Sequence, residues 1–441
     1  MLQTIRNAWK IADLRKKLIF TFVILLLYRL GNVVPVPFVN TATWSAFFQN
    51  ESGLQSGILG LFNVMSGSAF SRATLFALSI QPYINASIII QLLTIAIPAL
   101  ERLSKEGGEE GKKKIEKITR YTTAGLGILM GWAYWMMLRN YNQQYILYGN
   151  NVILTSTSFW SAAIIILSFT AGSCLVMWLG DQITERGVGN GISMILFANI
   201  VSRLPQMVMS LGHDMIHDFK NTWYVALVAV VGMIALIMFI VFITNAERRI
   251  PVSYAKRVVG RKVYGGQNTF LPIKVNMSGV LPIIFAQSVA TLPATIAAFM
   301  NKANPNKNPW YKYVWSNTSA VYLVVYMVLI IAFSYFYATI QYNPVEISNN
   351  LRKNGGFIPG YRPGRPTSDF IKRVINKITL FGAIYLGIVA ILPILTGMIN
   401  SKFEAMAIGG TSVIIVVGVA LETVQAIEAQ MLMRHYKGFL E

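Results

Sequence analysis

The chain has 441 residues, of which 54% are apolar and only 13% charged, about half the charged share of ordinary soluble domains. That composition excludes a soluble globular protein and implies a chain that crosses a membrane many times. The net charge of +20 could suit nucleic acid, but the basic residues fall in the gaps between apolar runs, where they set membrane topology. The single cysteine, Cys174, lies inside an apolar run, so no disulfide framework or cysteine zinc site is possible.

The N-terminus carries Arg15-Lys16-Lys17 followed by the apolar run Leu18 to Tyr28, as a signal peptide would. No small-residue cleavage site follows; Arg29, Gly31 and Pro35 come instead, so this is an uncleaved first span. Ten segments are apolar and long enough to cross a hydrocarbon core of about 30 Å. They cover residues 18–34, 73–98, 121–138, 155–179, 190–209, 222–244, 277–299, 320–342, 378–398 and 407–427. Basic residues concentrate in the N-terminal tail and in the gaps after spans 2, 6 and 8, which puts those gaps and both termini in the cytoplasm. The gap after span 4 fits only by parity, since Arg186 is its one basic residue.

Between spans 1 and 2, the apolar stretch Gly57 to Phe70 is helix-length. At 1.5 Å per residue it reaches about 20 Å, too short to cross. Two readings fit: an amphipathic helix lying at the interface, or a re-entrant element packed inside the protein.

Span interiors are almost free of ionisable residues. Arg29 lies near one end of span 1, and Glu422 and Glu428 lie toward the cytoplasmic end of span 10. An ion-coupled secondary transporter needs a polar or charged site at mid-membrane, so that class is disfavoured. Gly187-Val-Gly-Asn-Gly191 lacks the lysine of a phosphate-binding loop and starts span 5 instead. His213 and His217 are spaced for one helical face, yet with Asp214 and Asp218 beside them they read better as a solvated loop than a metal site. No catalytic cluster marks either membrane face, which disfavours a membrane-embedded enzyme. No cofactor is expected.

The gap after span 6 is the most shaped. It reads Ala246-Glu-Arg-Arg-Ile-Pro-Val-Ser-Tyr-Ala-Lys-Arg257, then Gly260 to Asn268, then Pro272-Ile-Lys-Val-Asn276, and its Gly-Gly and Pro punctuation predicts a hairpin. The run Pro251…Tyr254-Ala-Lys-Arg257…Gly260-Arg261…Gly266-Gln267…Pro272…Lys274…Asn276…Gly279-Val280…Pro282…Ile284-Phe-Ala286 resembles the SecY family, the protein-conducting channel of the general secretion pathway. Thr184-Glu-Arg-Gly…Gly189-Asn-Gly-Ile-Ser193 and Gly355-Gly-Phe-Ile-Pro-Gly-Tyr-Arg-Pro-Gly364 resemble the same family, and the likeness extends from about Arg15 to about Lys437.

The resemblance implies an all-α polytopic fold of ten transmembrane helices in two pseudo-symmetric inverted halves of five, with a short re-entrant plug helix. On that basis 1–245 carries spans 1–6 and the plug at about 57–70, 246–276 is the basic cytoplasmic loop, and 277–441 carries spans 7–10 and a short tail. The boundary between halves falls near 210–220. A faint echo of Pro82-Tyr-Ile-Asn-Ala-Ser87 in Pro282-Ile-Ile-Phe-Ala-Gln-Ser288 accords with a repeat.

By resemblance, the plug comprises Ile58, Leu59, Leu61, Phe62, Asn63, Val64 and Met65. The pore ring comprises Ile80, Ile84, Ile192, Leu196, Ile284 and Ile415; periodicity alone does not separate such a ring from core aliphatics. A ring of this kind would dewet the pore and block ions without charge. The lateral gate between spans 2 and 7 would contain Asn85, Gln91, Gln287, Ser288 and Thr291, which otherwise read as hydrogen-bonding glue between helices. Arg248, Arg249, Lys256, Arg257, Arg261, Lys262, Arg352, Lys353, Arg362 and Arg365 would bind the SecA motor ATPase or the ribosome. SecE, SecG, preprotein signal sequences and membrane lipid are the other implied partners. The implied location is the bacterial cytoplasmic membrane, with both termini cytoplasmic.

Overall fold

The computed structural model describes residues 2–50, 58–105, 107–147, 152–203, 205, 209, 219–254, 257–259, 262–264, 268–277, 279–299, 319–399 and 410–437. The first half of the chain forms helices α1 Leu2–Lys10, α2 Ala12–Gly31, α3 Thr41–Asn50, α4 Ile58–Met65, α5 Gln81–Ala96, α6 Pro98–Lys105, α7 Gly108–Leu147, α8 Phe159–Arg186 and α9 Gly191–Val201. Helix α10 Phe219–Asn245 leads into strands β1 Glu247–Tyr254, β2 Arg257–Val259, β3 Lys262–Tyr264 and β4 Asn268–Lys274. Then follow α11 Leu281–Phe299, α12 Ala320–Gln341, α13 Pro344–Lys353, β5 Gly356–Phe357, α14 Arg365–Ile399 and α15 Gly410–Lys437.

Each of the ten apolar segments carries one of these helices. Among the described residues, Phe159–Arg186, Ala320–Lys353, Arg365–Leu392 and Ser412–Leu432 are long and apolar enough to cross a membrane. A fifth arises if α5 and α6, bent by 104° at their junction, form one span. Such helices satisfy their own backbone, as a chain in lipid must. The protein is therefore a helical, multi-pass membrane protein.

The second apolar segment departs from expectation. Its helix begins at Gln81 rather than at residue 73, because Ala73 and Ser79 hold left-handed backbone at φ +46° and +49°. Those angles interrupt a right-handed helix, and Pro82 in the first turn suits the late start. At the far end Pro98 disfavours helical backbone at Ile97, which is extended, and the bend follows.

The chain forms two compact units: residues 1–223 with 291–322 and 419–441, and residues 224–290 with 323–418. In the first, α8 packs on backbone at two glycines. A side chain at Gly172 would run into the carbonyl of Leu75, and one at Gly191 into the carbonyl of Gly180. Asn190 caps α9, its side-chain oxygen accepting from the amides of Ile192 (3.0 Å) and Ser193 (3.3 Å). Trp44, Phe47, Phe48, Phe70, Tyr134 and Phe169 form an aromatic core within this unit.

In the second unit the expected hairpin is present. Strands β1 and β4 pair antiparallel from Glu247↔Lys274 to Ser253↔Asn268. A partner not expected from sequence joins them, since β5 pairs with β1 at Ser253 and Tyr254. Pro251 sits where β5 does not reach, so its missing N–H leaves no ladder bond unmade. Ile250, Val252 and Ile273 face inward onto Ile358, Ile371 and Ile375, which seats the sheet on α14. A second short hairpin pairs β2 with β3.

Replacing Gly172 with Val should lower the thermal midpoint of the purified protein by several degrees, since backbone cannot yield as a side chain does and overpacking costs about 1–3 kcal/mol. Gly125→Ala, inside α7 where a methyl group meets open space, should not lower the midpoint in the same scanning fluorimetry.

Candidate functional site

The short helix expected between the first two spans is Ile58–Met65. Leu59 is buried in the aromatic core, and Phe62 packs against it. Met65 and Asn63 are buried and Val64 is half-buried. Ile58 and Leu61 lie on the helix, with side chains outside the described residues.

Eight residues make a helix that is marginal by itself, so tertiary contacts must hold it. The irregular stretch that follows, which holds one 3₁₀ turn at Phe70–Arg72, is pinned by hydrogen bonds to its backbone. The Asn63 carbonyl accepts from the Ser68 amide (2.9 Å), and its side-chain oxygen accepts from the Ser71 amide (3.0 Å). The hydroxyl of Ser66 accepts from the Phe70 amide (3.0 Å). The Phe70 carbonyl accepts from Trp44 Nε1 (3.2 Å) and from the Tyr134 hydroxyl (2.6 Å). The buried carbonyl of Phe70, which opens a single 3₁₀ turn at Phe70–Arg72, is thus satisfied by side chains from α3 and α7.

The apolar candidates divide between the two units. Ile80, Ile84 and Leu196 are buried and Ile192 half-buried in the first; Ile284 and Ile415 are buried in the second. Ile80 precedes α5 as its N-cap rather than lying mid-helix, yet its carbonyl still accepts from the Ile84 amide (3.1 Å). The two side chains therefore keep the one-turn relation read from their spacing.

Among the polar candidates, Asn85 is half-buried with Nδ2 3.9 Å from Met130 Sδ, and Gln91 Nε2 donates to Ser87 Oγ (3.2 Å). Both contacts are local to the first unit. Gln287 and Thr291 are buried and Ser288 is half-buried.

The basic candidates are surface groups. Arg248, Arg249, Arg352, Lys353, Arg362 and Arg365 are exposed, and Arg249 pairs with Glu247 at 2.7 Å. Because β5 belongs to the stretch Gly355 to Gly364, the two basic loops share one small sheet rather than hanging separately. Lys256 and Arg261 lie outside the described residues, as do His213, His217 and Gly57, and the side chains of Arg257 and Lys262 do too. No group of three metal-ligating side chains occurs among the described residues.

A model of the SecY family matches residues 74–424. A protein translocase subunit SecY from Streptomyces galbus is 41% identical, with both chains covered in full. The chain belongs to the SecY family.

Two solved structures share the fold. A protein-conducting channel superimposes with a TM-score of 0.66 at 17% identity, over 94% of this chain and 92% of that one. A SecY channel studied for how its plug domain stabilises the closed state gives 0.64 at 16%, with the same coverage. In this SecY-family chain, three residues escaped the sequence reading altogether. Tyr28, Ser79 and Asn199 meet in the interior around the end of α4. Their only signal in the sequence is polarity inside apolar runs, which marks many residues that merely join helices.

The burial pattern of β1 separates fold from surface chemistry. Ile250→Glu puts an unpaired charge beneath the sheet and should lower accumulation and thermal midpoint sharply. Arg248→Glu, at an exposed position of the same strand, should change both little, and equal losses in the two variants would contradict this burial pattern.

Proposed function

We propose that this chain is the channel subunit of a bacterial SecYEG-type translocase. It conducts unfolded preproteins across the cytoplasmic membrane and releases transmembrane segments sideways into lipid. The observation that carries the reading is identity of 41% along the whole length to a protein translocase subunit. The chain acts as a conduit and not as an enzyme, so energy comes from a partner: the SecA motor or the translating ribosome. SecE and SecG complete the membrane complex.

The ten apolar helices act as ten spans in two halves of five, divided near 210–220, with both termini and the basic sheet in the cytoplasm. The concentration of basic residues supports that orientation. Ile80, Ile84, Ile192, Leu196, Ile284 and Ile415 form the constriction, and Ile58–Met65 is the plug that seals it at rest. Burial of Ile80, Ile84, Leu196, Ile284 and Ile415 fits a ring that touches protein or itself in the closed state. Asn85, Gln91, Gln287, Ser288 and Thr291 form a seam that parts toward lipid when a signal sequence arrives. Arg248, Arg249, Arg352, Lys353, Arg362 and Arg365 dock the acidic or phosphate-rich surface of the driving partner, joined by Lys256, Arg257, Arg261 and Lys262 of the same loop.

Reconstitution tests this directly. Proteoliposomes holding the chain with its two small membrane partners should protect an added preprotein from protease when motor ATPase and ATP are supplied. Failure with an active motor and a competent preprotein would contradict the reading.

The ring has its own test. Asn at both Ile84 and Ile284 should raise resting ion conductance in planar bilayers, because wetting removes the barrier. Unchanged conductance would return both residues to ordinary core packing.

A further inference from the structure

The plug helix ends in a polar joint that its sequence does not suggest. The last carbonyls of any helix lack intrahelical donors and must find others. Those of Phe62, Asn63 and Val64 are met locally, by the amides of Ser66, Ser68 and Gly67. The carbonyl of Met65 is met instead by side chains: closely by Asn199 Nδ2 of α9 at 2.7 Å, and at the limit of hydrogen-bond length by the hydroxyl of Ser79 at 3.5 Å. The same nitrogen donates to the Tyr28 hydroxyl of α2 at 2.8 Å, and Ser79 Oγ lies 3.3 Å from both the nitrogen and that hydroxyl. A carbonyl can only accept, so the contact with Met65 fixes which end of the Asn199 amide is nitrogen. Asn199 is 0% exposed, and its Oδ1 faces Gly67 with no donor among the described residues. Gly67 has φ +64°, and a side chain there would strike both Asn199 Oδ1 and Arg29 Nη1.

We propose that Asn199 is a latch for the plug, a positioning residue that sets how readily the resting channel opens. Its amide replaces the donors that the short helix cannot supply. Two elements distant in sequence, α9 and the turn before α5, converge on one carbonyl at the helix's exit, and Tyr28 of α2 braces both side chains that reach it. When the plug leaves, the Met65 carbonyl and the Asn199 amide lose each other, and both are free to meet water in the opened funnel. Unlike apolar packing, this contact is directional, so it favours one seated position of the helix over neighbouring ones. A buried bond of this kind is replaced at little net loss only if water reaches both partners at once. The latch therefore resists partial displacement more than full departure, which suits a two-state element.

The inference rests on reading Ile58–Met65 as the plug. The key variant is Asn199→Leu, close in size but without donors. In the reconstituted complex it should raise resting ion leak roughly tenfold, equivalent to about 1.4 kcal/mol. It should also speed amide exchange across residues 58–72 while leaving residues 159–186 unchanged. In a chain lacking residues 58–69, the same substitution should add no further leak, because the latch has nothing to hold. Should Asn199→Leu fail to accumulate, Tyr28→Phe combined with Ser79→Ala removes the flanking hydroxyls, and should give a severalfold rise by the same measures. Wild-type leak and exchange in these variants, beside a leaky deletion, would overturn the latch and leave the plug standing. A deletion that does not leak would overturn the plug itself.

Discussion

A buried backbone outside α-helix and sheet is the constraint on which this molecule turns. Between Ser66 and Ile80 the chain is neither a continuous helix nor a strand, yet it lies inside a membrane protein, where no bulk water satisfies its amides. The solution is a set of side chains that act as substitute ladder partners: Asn63 and Ser66 from within, Trp44 and Tyr134 at Phe70, Asn199 at Met65. Where a group has a single partner, as the Ser71 amide has in Asn63 and the Phe70 amide in Ser66, removing that partner strands it in the interior, which costs about 1–3 kcal/mol. The aromatic core around Phe70 supplies the apolar contacts that keep these donors in place.

That arrangement has a kinetic meaning as well as a structural one. Ser68, Ala73 and Ser79 all hold positive φ, a conformation that costs non-glycine residues of order 1–3 kcal/mol each. Strain of this size persists where surrounding structure imposes it, and it concentrates at elements that move. A short helix held by a handful of directional bonds and followed by a strained turn suits the plug role proposed for it. A long helix packed along its length, such as α8 against the Leu75 carbonyl at Gly172, has no such freedom. The long helices and the Ile58–Met65 segment thus differ in how their backbone is satisfied.

Much of the frame was legible in the sequence because hydropathy and helix length are local properties. The ten apolar segments all carry helices, and the Gly-Gly and Pro residues of the central loop foretold its hairpin. The start of α5 was misplaced because Leu75, Phe76, Ala77 and Leu78 are as apolar as a span. Burial demands that composition whether or not the backbone is helical, so hydropathy cannot locate Gln81 as the first turn. The pairing of Gly356 with Tyr254 joins residues about a hundred apart and leaves no local trace. Asn199 was invisible for a related reason: its partners lie on α2 and at the end of α4, and only the fold brings them together. The ring and gate residues came from family resemblance, since an isoleucine lining a pore and one filling a core obey the same periodicity.

The central claim is that Ile58–Met65 seals the resting channel and leaves when a chain passes. With Cys174 replaced by Ser, cysteines at Val64 and Ile192 report on that movement through a short bifunctional maleimide. The account predicts efficient crosslinking in the idle complex and its loss once a preprotein is trapped in transit. Crosslinking that is equally strong with the channel occupied would contradict it.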